Sequence, residues 1–325
     1  MKITTGFHVY SKDVPFRSCL LRGFSCNVFA MTQGHETWLV DAGSGLVGRP
    51  RKIVASMQEE GLDPSSITRI LLTHAHPDHA GGIGYFSHKC NPAICIHESE
   101  EASLKGGTKH LWESEAIAAR GKINDFYPAP MWLVHSFARY SIGNTPSVSN
   151  IKLLKDRETI KGHEHDVVVI HTPGHIPGHA CYYVPDAKIA FIGDLIDPSF
   201  DRKASLNFPS SDYDQICHSI QVMRELDIEF LCAAHASDVI HGASKIRDLF
   251  TGTLEVLRNA RETTLAMLKE RGPMRLKEFA GHYPKDTWRL QDQVCVPFAV
   301  IKSLEKEGRV KAENGRYRLI ETGIS

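Results

Sequence analysis

The sequence predicts an α/β protein with one large domain and a small C-terminal one. Its 325 residues, 42% of them hydrophobic, are enough for a substantial core. Short apolar runs of strand length, such as Ile70–Leu72, alternate with segments of helical periodicity, such as residues 50–60. Several apolar runs end in histidine or aspartate, which would bring those side chains to one edge of the sheets. We predict a large domain over residues 1–250 and a small one over residues 251–325.

Charge and composition exclude several classes of protein. The formal net charge is zero, so no global charge attracts nucleic acid or anionic lipid. The first residues lack an apolar signal region, and no run of about 18 apolar residues occurs, so we expect a cytoplasmic protein with no membrane partner. The cysteines form no C-x-x-C pair, so we expect reduced structural thiols, with disulfides or a second metal site as alternatives. They are Cys19, Cys26, Cys90, Cys95, Cys181, Cys217, Cys232 and Cys295.

The first part of the chain predicts strands followed by a helix. Residues 14–41 have the pattern of two or three strands, the last of which leads into a glycine-rich turn at Asp41. Residues 50–60 have helical spacing, and Gly61 is expected to end that helix. The apolar run Ile70–Leu72 then predicts a buried strand.

Directly after that strand the sequence reads H-x-H-x-D-H. His74 and His76 are two residues apart, so in an extended loop both imidazoles point the same way and can bind one metal ion. Asp78 and His79 follow Pro77, which suits the first turn of a helix, and from there they can reach a second metal nearby. The alternative is a histidine-rich surface turn.

This motif resembles the defining H-x-H-x-D-H of the metallo-β-lactamase superfamily, over about the first 250 residues. The resemblance implies a four-layer αββα sandwich that binds two metal ions. It matches His175, in Thr-Pro-Gly-His, to the histidine that completes the first metal site. It matches Asp194, which follows the strand that ends at Gly193, to the carboxylate that bridges both metals.

The last ligand predicted from the resemblance is His235, which closes another apolar strand. Relatives usually have Gly-His-Gly at this point, and here the sequence is Ala-His-Ala, so His241 is kept as the alternative ligand. Asp197 is a weaker alternative to Asp194. His179 is expected to lie beside the site or in the pocket and not to bind metal.

Several other polar residues have two interpretations. Asp41 either supports the metal loop, as an aspartate often does in the superfamily, or caps its own turn. His97, at the end of the strand from Ala93, is expected to be structural rather than a ligand. His163 and His165 are expected to be solvated turn residues rather than a metal pair. The insertion of residues 98–140 either shapes the substrate pocket or packs as a core flap.

The predicted ligand set implies hydrolysis. Three imidazoles leave a coordination position open, and a hydroxide that bridges the two metals would attack an acyl or phosphoryl centre. Asp78 is also predicted to be catalytic, because it can orient the nucleophile or pass its proton on. Zinc suits a nitrogen-rich set, although iron and manganese tolerate it. The ligands are His74, His76 and His175 for one metal, Asp78, His79 and His235 for the other, and Asp194 between them.

The substrate is predicted by resemblance only. His76 stands where oxygen-reducing diiron relatives usually have glutamate, so hydrolysis is favoured over redox chemistry. Glyoxalase II-like thioesterases and lactonases use this ligand set, and we therefore expect a small acyl substrate, a thioester or a lactone. The alternatives are an endoribonuclease or other phosphodiesterase acting on single-stranded RNA, and a metal-binding regulatory protein with little turnover.

The C-terminal region predicts a winged-helix-like domain. Helical patterns cover the segment from residue 251 to Gly272, residues 275–281 and residues 289–307, and a hairpin is expected around Asn314-Gly315. Helix 289–307 mixes basic side chains, including Arg289, with acidic ones. We therefore predict that this region packs against the catalytic domain or against a second subunit in a homodimer, and does not read DNA. The hairpin leaves weak RNA contact as an alternative through Arg309, Lys311, Arg316 and Arg318.

Overall fold

The computed structural model describes most of the chain. The described residues are 2–4, 6–10, 26–46, 48–127, 129–141, 143–198, 203–280, 282–283 and 292–320. Part of the predicted strand region 14–41 therefore lies outside the described residues, as do Cys19 and Arg289.

The first sheet follows the chain order from β1 to β7. Its first four strands pair antiparallel, and β4 to β7 pair parallel. The strand predicted from Ile70–Leu72 is confirmed as β5, and the strand predicted before His97 as β6. The strands are β1 (Lys2–Thr4), β2 (Phe7–Tyr10), β3 (Val28–Gln33), β4 (Glu36–Val40), β5 (Ile67–Leu71), β6 (Ala93–His97) and β7 (Ile151–Leu154).

One face of this sheet is covered by short helices. They are α1 (Arg49–Glu59), α2 (Pro77–Ala80) and α3 (Ile83–Lys89), and a 3-10 helix (Pro64–Ser66) precedes β5. The helix predicted over residues 50–60 is confirmed as α1. Its buried side chains, such as Met57, pack in one cluster with Leu39 and Ile70 of the sheet and Phe86 of α3. Pro77 occupies the first turn of α2, as predicted.

The second sheet has the strand order β15-β14-β11-β10-β9-β8. Its strands are β8 (Thr159–Ile160), β9 (Val167–His171), β10 (Ala180–Val184), β11 (Ile189–Gly193), β14 (Phe230–Ala233) and β15 (Ile240–His241). A separate ribbon is formed by β12 (Ile196–Asp197) and β13 (Lys203–Ala204).

The two sheets stack face to face. Trp38 and Phe29 from the first sheet share one buried cluster with Tyr182 and Phe191 from the second. The outer face of the second sheet packs against α7 (Tyr213–Arg224) and the long helix α8 (Ala243–Arg271). The order of layers is helix, sheet, sheet, helix, which confirms the predicted αββα sandwich.

The insertion after β6 is helical. It contains a 3-10 helix (Glu98–Glu100), α4 (Glu101–Ala118), α5 (Ile123–Phe126) and α6 (Met131–Ser141). Gly107, with φ of 60°, interrupts the helical geometry of α4. Phe126 and Tyr127 are buried, whereas Ile117, Trp132 and Tyr140 are largely exposed.

The C-terminal region is formed by α8, a 3-10 helix (Leu276–Phe279), α9 (Asp292–Lys306) and the hairpin of β16 (Val310–Glu313) and β17 (Arg316–Leu319). The turn predicted at Asn314-Gly315 is confirmed, with positive φ at both residues. Helix α8 begins before residue 250 and runs through the predicted domain boundary. That boundary and the winged-helix assignment stay predictions.

This region packs against the rest of the chain, as predicted. Phe298 of α9 lies edge-on to Phe126, with ring centroids 5.1 Å apart. Ser303 Oγ donates to Asp214 Oδ1 of α7 over 2.6 Å. Dimer formation stays a prediction. The seven cysteines in the described ranges form no disulfide, and none of the helices described there is long and apolar enough to cross a membrane.

Candidate metal centre

The loop after β5 and the loop after β9 bring three histidines together, which we name the first triad: His74, His76 and His175. His74 Nε2 lies 2.9 Å from His76 Nδ1, and His175 Nε2 lies 3.2 Å from the same atom. All three side chains are buried. Three imidazole nitrogens therefore converge on one point.

Asp78, His79 and His235 form a second group, which we name the second triad. Asp78 Oδ2 lies 3.7 Å from His79 Nε2 and 3.5 Å from His235 Nε2. Their ligand atoms all lie within 4.8 Å of one another. His235 follows β14, so it lies after the end of a strand, as predicted.

Asp194 lies between the two triads. Its Oδ2 atom is 3.5 Å from His175 Nε2 and 4.0 Å from His74 Nε2. Its Oδ1 atom is 3.2 Å from His235 Nε2 and 3.3 Å from His79 Nε2. The two oxygens of one carboxylate thus face different triads.

Two buried atoms test whether this donor set fits metal ions. Among the described residues, His79 Nε2 and Asp194 Oδ1 are buried and have no partner with hydrogen-bond geometry, although they lie 3.3 Å apart. A buried polar atom left unpaired costs about 1–3 kcal/mol. A divalent cation held by the second triad would satisfy both atoms, so the donors present fit metal binding.

Glycine and aspartate at particular positions make this convergence possible. Gly193, with φ of 46°, has no room for a side chain, because a Cβ atom would lie 2.7 Å from His179 Nε2 and 2.8 Å from Thr73. Thr73 in turn donates its backbone N–H to Asp41 Oδ1 over 2.8 Å. These contacts hold the end of β5 close to the end of β11. The loop of His74 to His79 follows β5 and Asp194 follows β11, so these ligands begin next to each other.

The ring nitrogens that face away from the centre are held by polar partners. His79 Nδ1 lies 2.8 Å from Asp41 Oδ2, and His175 Nδ1 donates to the Ser205 carbonyl over 2.9 Å. His74 Nδ1 lies 3.0 Å from Thr73 Oγ1. Such contacts fix the tautomer and the ring orientation, so the inner nitrogen keeps a lone pair that can bind a metal ion. Of the two interpretations of Asp41, the contact with His79 favours support of the site.

Electrostatics differ between the triads. Burial lowers the pKa of His74 and His76 well below the usual value, and it also lowers the pKa of His175. These rings are therefore neutral at physiological pH. A neutral imidazole is the form that binds metal.

In the second triad burial also lowers the pKa of the histidines, but nearby negative charge outweighs this effect. The carboxylates of Asp194, Asp41 and Asp78 around His79 raise its pKa well above the usual value. Asp194 and Asp78 raise the pKa of His235 to about 9 against the effect of burial. The same two histidines hold the pKa of Asp194 well below its usual range, although burial opposes this. The carboxylates at the second triad therefore favour positive charge, either as protons on the two imidazoles or as a metal cation that displaces them.

Cys26, Asp41 and His79 form a third group of possible ligand atoms. This group shares His79 with the second triad, and Cys26 Sγ lies 3.6 Å from His79 Nδ1. Burial raises the pKa of Cys26 to about 12, so the side chain stays a thiol, and Asp41 already accepts from Thr73. We interpret this group as support for His79.

The other histidines singled out in the sequence lie apart from the triads. His97 accepts from the Ser99 backbone and stacks on His171. His165 contacts Asp186, and the mainly exposed His241 contacts Glu229. His163 is exposed on its turn, and Asp197 is absent from the three groups formed by the described residues.

His179 lies directly beneath the centre. Its Nε2 atom accepts from the backbone N–H of Asp194 over 3.0 Å. Burial lowers the pKa of His179 to about 3, which keeps the ring neutral and able to accept. The structure therefore places His179 as a support for Asp194, as expected.

Sequence reasoning missed three residues that position the ligands. The buried Glu100 accepts from the backbone N–H of Ala75, between His74 and His76, over 3.2 Å. Asn27 donates to the carbonyls of Ala233 and Ala236, on both sides of His235. The Phe208 ring lies against His76, with centroids 4.6 Å apart. The one available signal was for Glu100, an acid three residues after the buried strand β6.

Comparison with known sequences points to one family. The profile of the metallo-beta-lactamase superfamily matches residues 21–235. Acyl-coenzyme A thioesterase MBLAC2 of Gallus gallus is 27% identical over 180 residues, which are 54% of this chain and 58% of that protein. A hydroxyacylglutathione hydrolase of Maricaulis maris is 30% identical over 131 residues, 40% of this chain and 34% of that one. The chain therefore spans little more than half the length of the first relative.

Comparison with solved structures extends over nearly the whole chain. A metallo-beta-lactamase family protein of Thermus thermophilus matches with a TM-score of 0.76. The match is 22% identical and covers 98% of this chain and 99% of that one, so it shows a shared fold. The αββα layers and the two triads agree with the profile match. The chain belongs to the metallo-β-lactamase superfamily.

Proposed function

We propose that the protein is a metal-dependent hydrolase of small acyl substrates, with thioesters as the first class and lactones as the second. The observation that carries the proposal is the position of Asp194, whose two oxygens face different triads at 3.5 Å from His175 and 3.2 Å from His235. A carboxylate placed in this way can bind two cations near each other. Paired metal sites are typical of hydrolytic enzymes.

In this proposal each triad binds one divalent ion and Asp194 binds both. Nitrogen-rich donors with one carboxylate suit zinc, and iron or manganese accept the same donors. The proposed ligand atoms are His74 Nε2, His76 Nδ1 and His175 Nε2 for the first ion, and Asp78 Oδ2, His79 Nε2 and His235 Nε2 for the second.

When bound, the cations supply Lewis-acid chemistry, which polarises a carbonyl oxygen and lowers the pKa of water from 15.7 to about 7. The residues of the chain supply the rest. Asp78 is partly exposed at the start of α2, where its carboxylate can orient the attacking water and accept its proton. Phe208, packed on His76, offers an apolar wall to the carbon chain of an acyl group.

The relatives support the acyl class. Two of the proteins described above are named for the hydrolysis of thioesters, one of acyl-coenzyme A and one of hydroxyacylglutathione. Because each match covers less than two thirds of the relative, the acyl group and the thiol stay part of the proposal.

No observation on the described residues favours nucleic acid as the substrate. The basic side chains of the β16–β17 hairpin are paired with carboxylates. Arg318 donates to Glu313 over 2.6 Å, and Arg316 donates to Glu278 over 3.1 Å. Such pairs reduce the local positive charge that phosphate binding requires.

The test is a substrate panel with the zinc-loaded protein. It contains acyl-coenzyme A thioesters of increasing chain length, a glutathione thioester, acyl lactones, an aryl phosphodiester and single-stranded RNA. The variant His235→Ala removes a proposed ligand. His241→Ala removes an exposed histidine from the next strand and serves as the matched control.

We expect thioester hydrolysis that depends on the metal, is lost in His235→Ala and is kept in His241→Ala. Cleavage of RNA or phosphodiester alone would contradict the acyl proposal. Zinc binding without turnover of any member of the panel would instead support a regulatory metal-binding protein.

A further inference from the structure

The segment from Ser205 to Ser211 lies against the first triad, and we name it the β13–α7 loop. Its Ser205 carbonyl accepts from His175 Nδ1, and Ser211 Oγ donates to the His175 carbonyl over 2.9 Å. Phe208 contacts the rings of both His76 and His175, with centroids 4.6 and 5.4 Å apart. One loop therefore holds His175 from two sides and forms a wall beside the metal centre.

This loop is held in turn by side chains from two other parts of the chain. Glu115 of α4 accepts from the backbone N–H of Ser210 over 2.9 Å and from its hydroxyl. Lys302 of α9 donates to the carbonyl of Pro209 over 2.8 Å and to that of Ser211 over 2.7 Å. The insertion and the C-terminal region thus meet at the backbone that carries Phe208.

Lys302 is an unusual residue for a helix that packs on a core. Its ammonium group is partly buried, and burial lowers its pKa to about 8. Burial of an ammonium group is unfavourable unless it is paired and hydrogen-bonded. The two backbone carbonyls supply those hydrogen bonds, while Asp212 and Glu115 supply nearby negative charge.

We propose that Lys302 is a positioning residue for the metal centre. By holding the carbonyls on both sides of Ser210, it keeps the β13–α7 loop against His175 and keeps Phe208 beside His76. Helix α9 would then help to position the metal ligands, although all the proposed ligands lie before residue 250. The inference rests on the proposed metal-dependent function, but it makes a claim about metal binding that does not need a substrate.

The test compares Lys302→Met with Lys306→Met in the full-length, zinc-loaded protein. Methionine keeps the length of the side chain and removes the donors. Lys306 lies one turn further along α9 and forms an exposed ion pair with Asp212 over 2.8 Å, so its variant controls for loss of a charge at this surface. Measurements are zinc affinity by competition with a chromogenic chelator, kcat and KM for the best thioester, and the unfolding midpoint.

We expect Lys302→Met to weaken the zinc site of the first triad by about tenfold or more, since residues that orient metal ligands typically contribute 10–100-fold. We expect kcat to fall by a similar factor. Lys306→Met should change zinc affinity and kcat by less than about twofold relative to the wild type, because exposed ion pairs contribute little. A fall in the unfolding midpoint of Lys302→Met with unchanged zinc affinity and kcat would mean that Lys302 only stabilises the fold, which overturns the proposal.

If Lys302→Met does not fold, Lys302→Gln takes its place, because a shorter polar side chain fits the space but does not reach both carbonyls. Wild-type zinc affinity in that variant also overturns the proposal. If the wild type hydrolyses no thioester, the proposed function fails, while zinc affinity still tests Lys302 on its own.

Discussion

The two triads share Asp194 but differ in how they attract a cation. The first triad, with His74, His76 and His175, contains only nitrogen donors, and its rings are buried and neutral. In the second triad Asp78 and His235 are partly exposed, and nearby carboxylates raise the pKa of both histidines. If both triads bind metal as proposed, the first site selects a metal by its ligand chemistry. The second attracts positive charge of any kind, and protons compete there with metal ions.

The largest expected effect comes from removal of what the triads share. In Asp194→Asn one carboxylate oxygen becomes an amide N–H₂ group, which cannot bind a cation, so one triad loses its bridge and the net charge of the centre rises. We expect activity to fall by more than about a hundredfold, beyond the typical cost of a residue that only orients a ligand. Metal analysis and kinetics of the purified variant measure this, with His241→Ala as the control. Two tightly bound ions per chain in Asp194→Asn would contradict the bridging role.

Metal removal separates the triads. When the zinc-loaded protein is treated with a chelator, we expect two phases, with the second triad losing its ion first, because Asp78 and His235 are partly exposed whereas His74 and His175 are buried. The two phases should be resolved in time. His235→Ala should remove the fast phase and leave about one zinc per chain. A single phase that is unchanged in His235→Ala would show that the difference in exposure has no effect on metal release.

A smaller effect should follow from loss of the contact that holds His235. Asn27 donates its backbone N–H to Ala234 over 2.7 Å and its amide to the carbonyls of Ala233 and Ala236. Asn27→Ala should weaken the second site by about tenfold and leave the first site unchanged. Competition titration with zinc resolves the two affinities. The control is Asn150→Ala, which removes a mostly exposed amide that contacts Pro92. Equal weakening of both sites would contradict a local role.

The difference between the triads also explains how much the sequence could predict. His74, His76, Asp78 and His79 follow one strand within six residues, so strand pattern and spacing were enough to predict their convergence. His235 is different, because Ala-His-Ala departs from the pattern of the relatives. Its place depends on Asn27, more than 200 residues earlier in the chain, and no local pattern contains such a contact.

In the fold, too, local patterns were predictive and tertiary contacts were not. Strands and helices with clear periodicity, such as β6 and α1, were predicted to within a residue or two. The start of α8 was not, because Ala243–Phe250 continues the helix ahead of the change in composition near residue 251. Lys302 has no sequence signal beyond being one of the basic residues of the predicted helix 289–307. Its contacts with Pro209 and Ser211 depend on tertiary packing, which periodicity does not encode.

The last effect that we predict concerns the pH dependence of stability at the first triad. Glu100 is buried against Ala75, and burial raises its pKa to about 7, although the hydrogen bond from Ala75 lowers it. In the unfolded chain the ordinary value is 4.5. Between these pH values the folded protein keeps a proton that the unfolded chain releases, so the free energy of unfolding should fall as pH rises from about 4.5 to about 7. The contribution of this carboxyl is at most about 3 kcal/mol.

Unfolding of the metal-free protein by urea at pH 5, 6, 7 and 8 measures this contribution, because bound cations would otherwise favour the carboxylate. Glu100→Gln cannot titrate, so its stability should depend less on pH than that of the wild type, with the two curves approaching or crossing near neutral pH. Glu101→Gln is the matched control, since the neighbouring carboxylate lies at the surface and pairs with Lys105. Parallel curves for wild type and Glu100→Gln would mean that Glu100 is ionised throughout this range. The loop of His74 and His76 would then be held by a buried charge, and the first triad would resemble the second in its electrostatics.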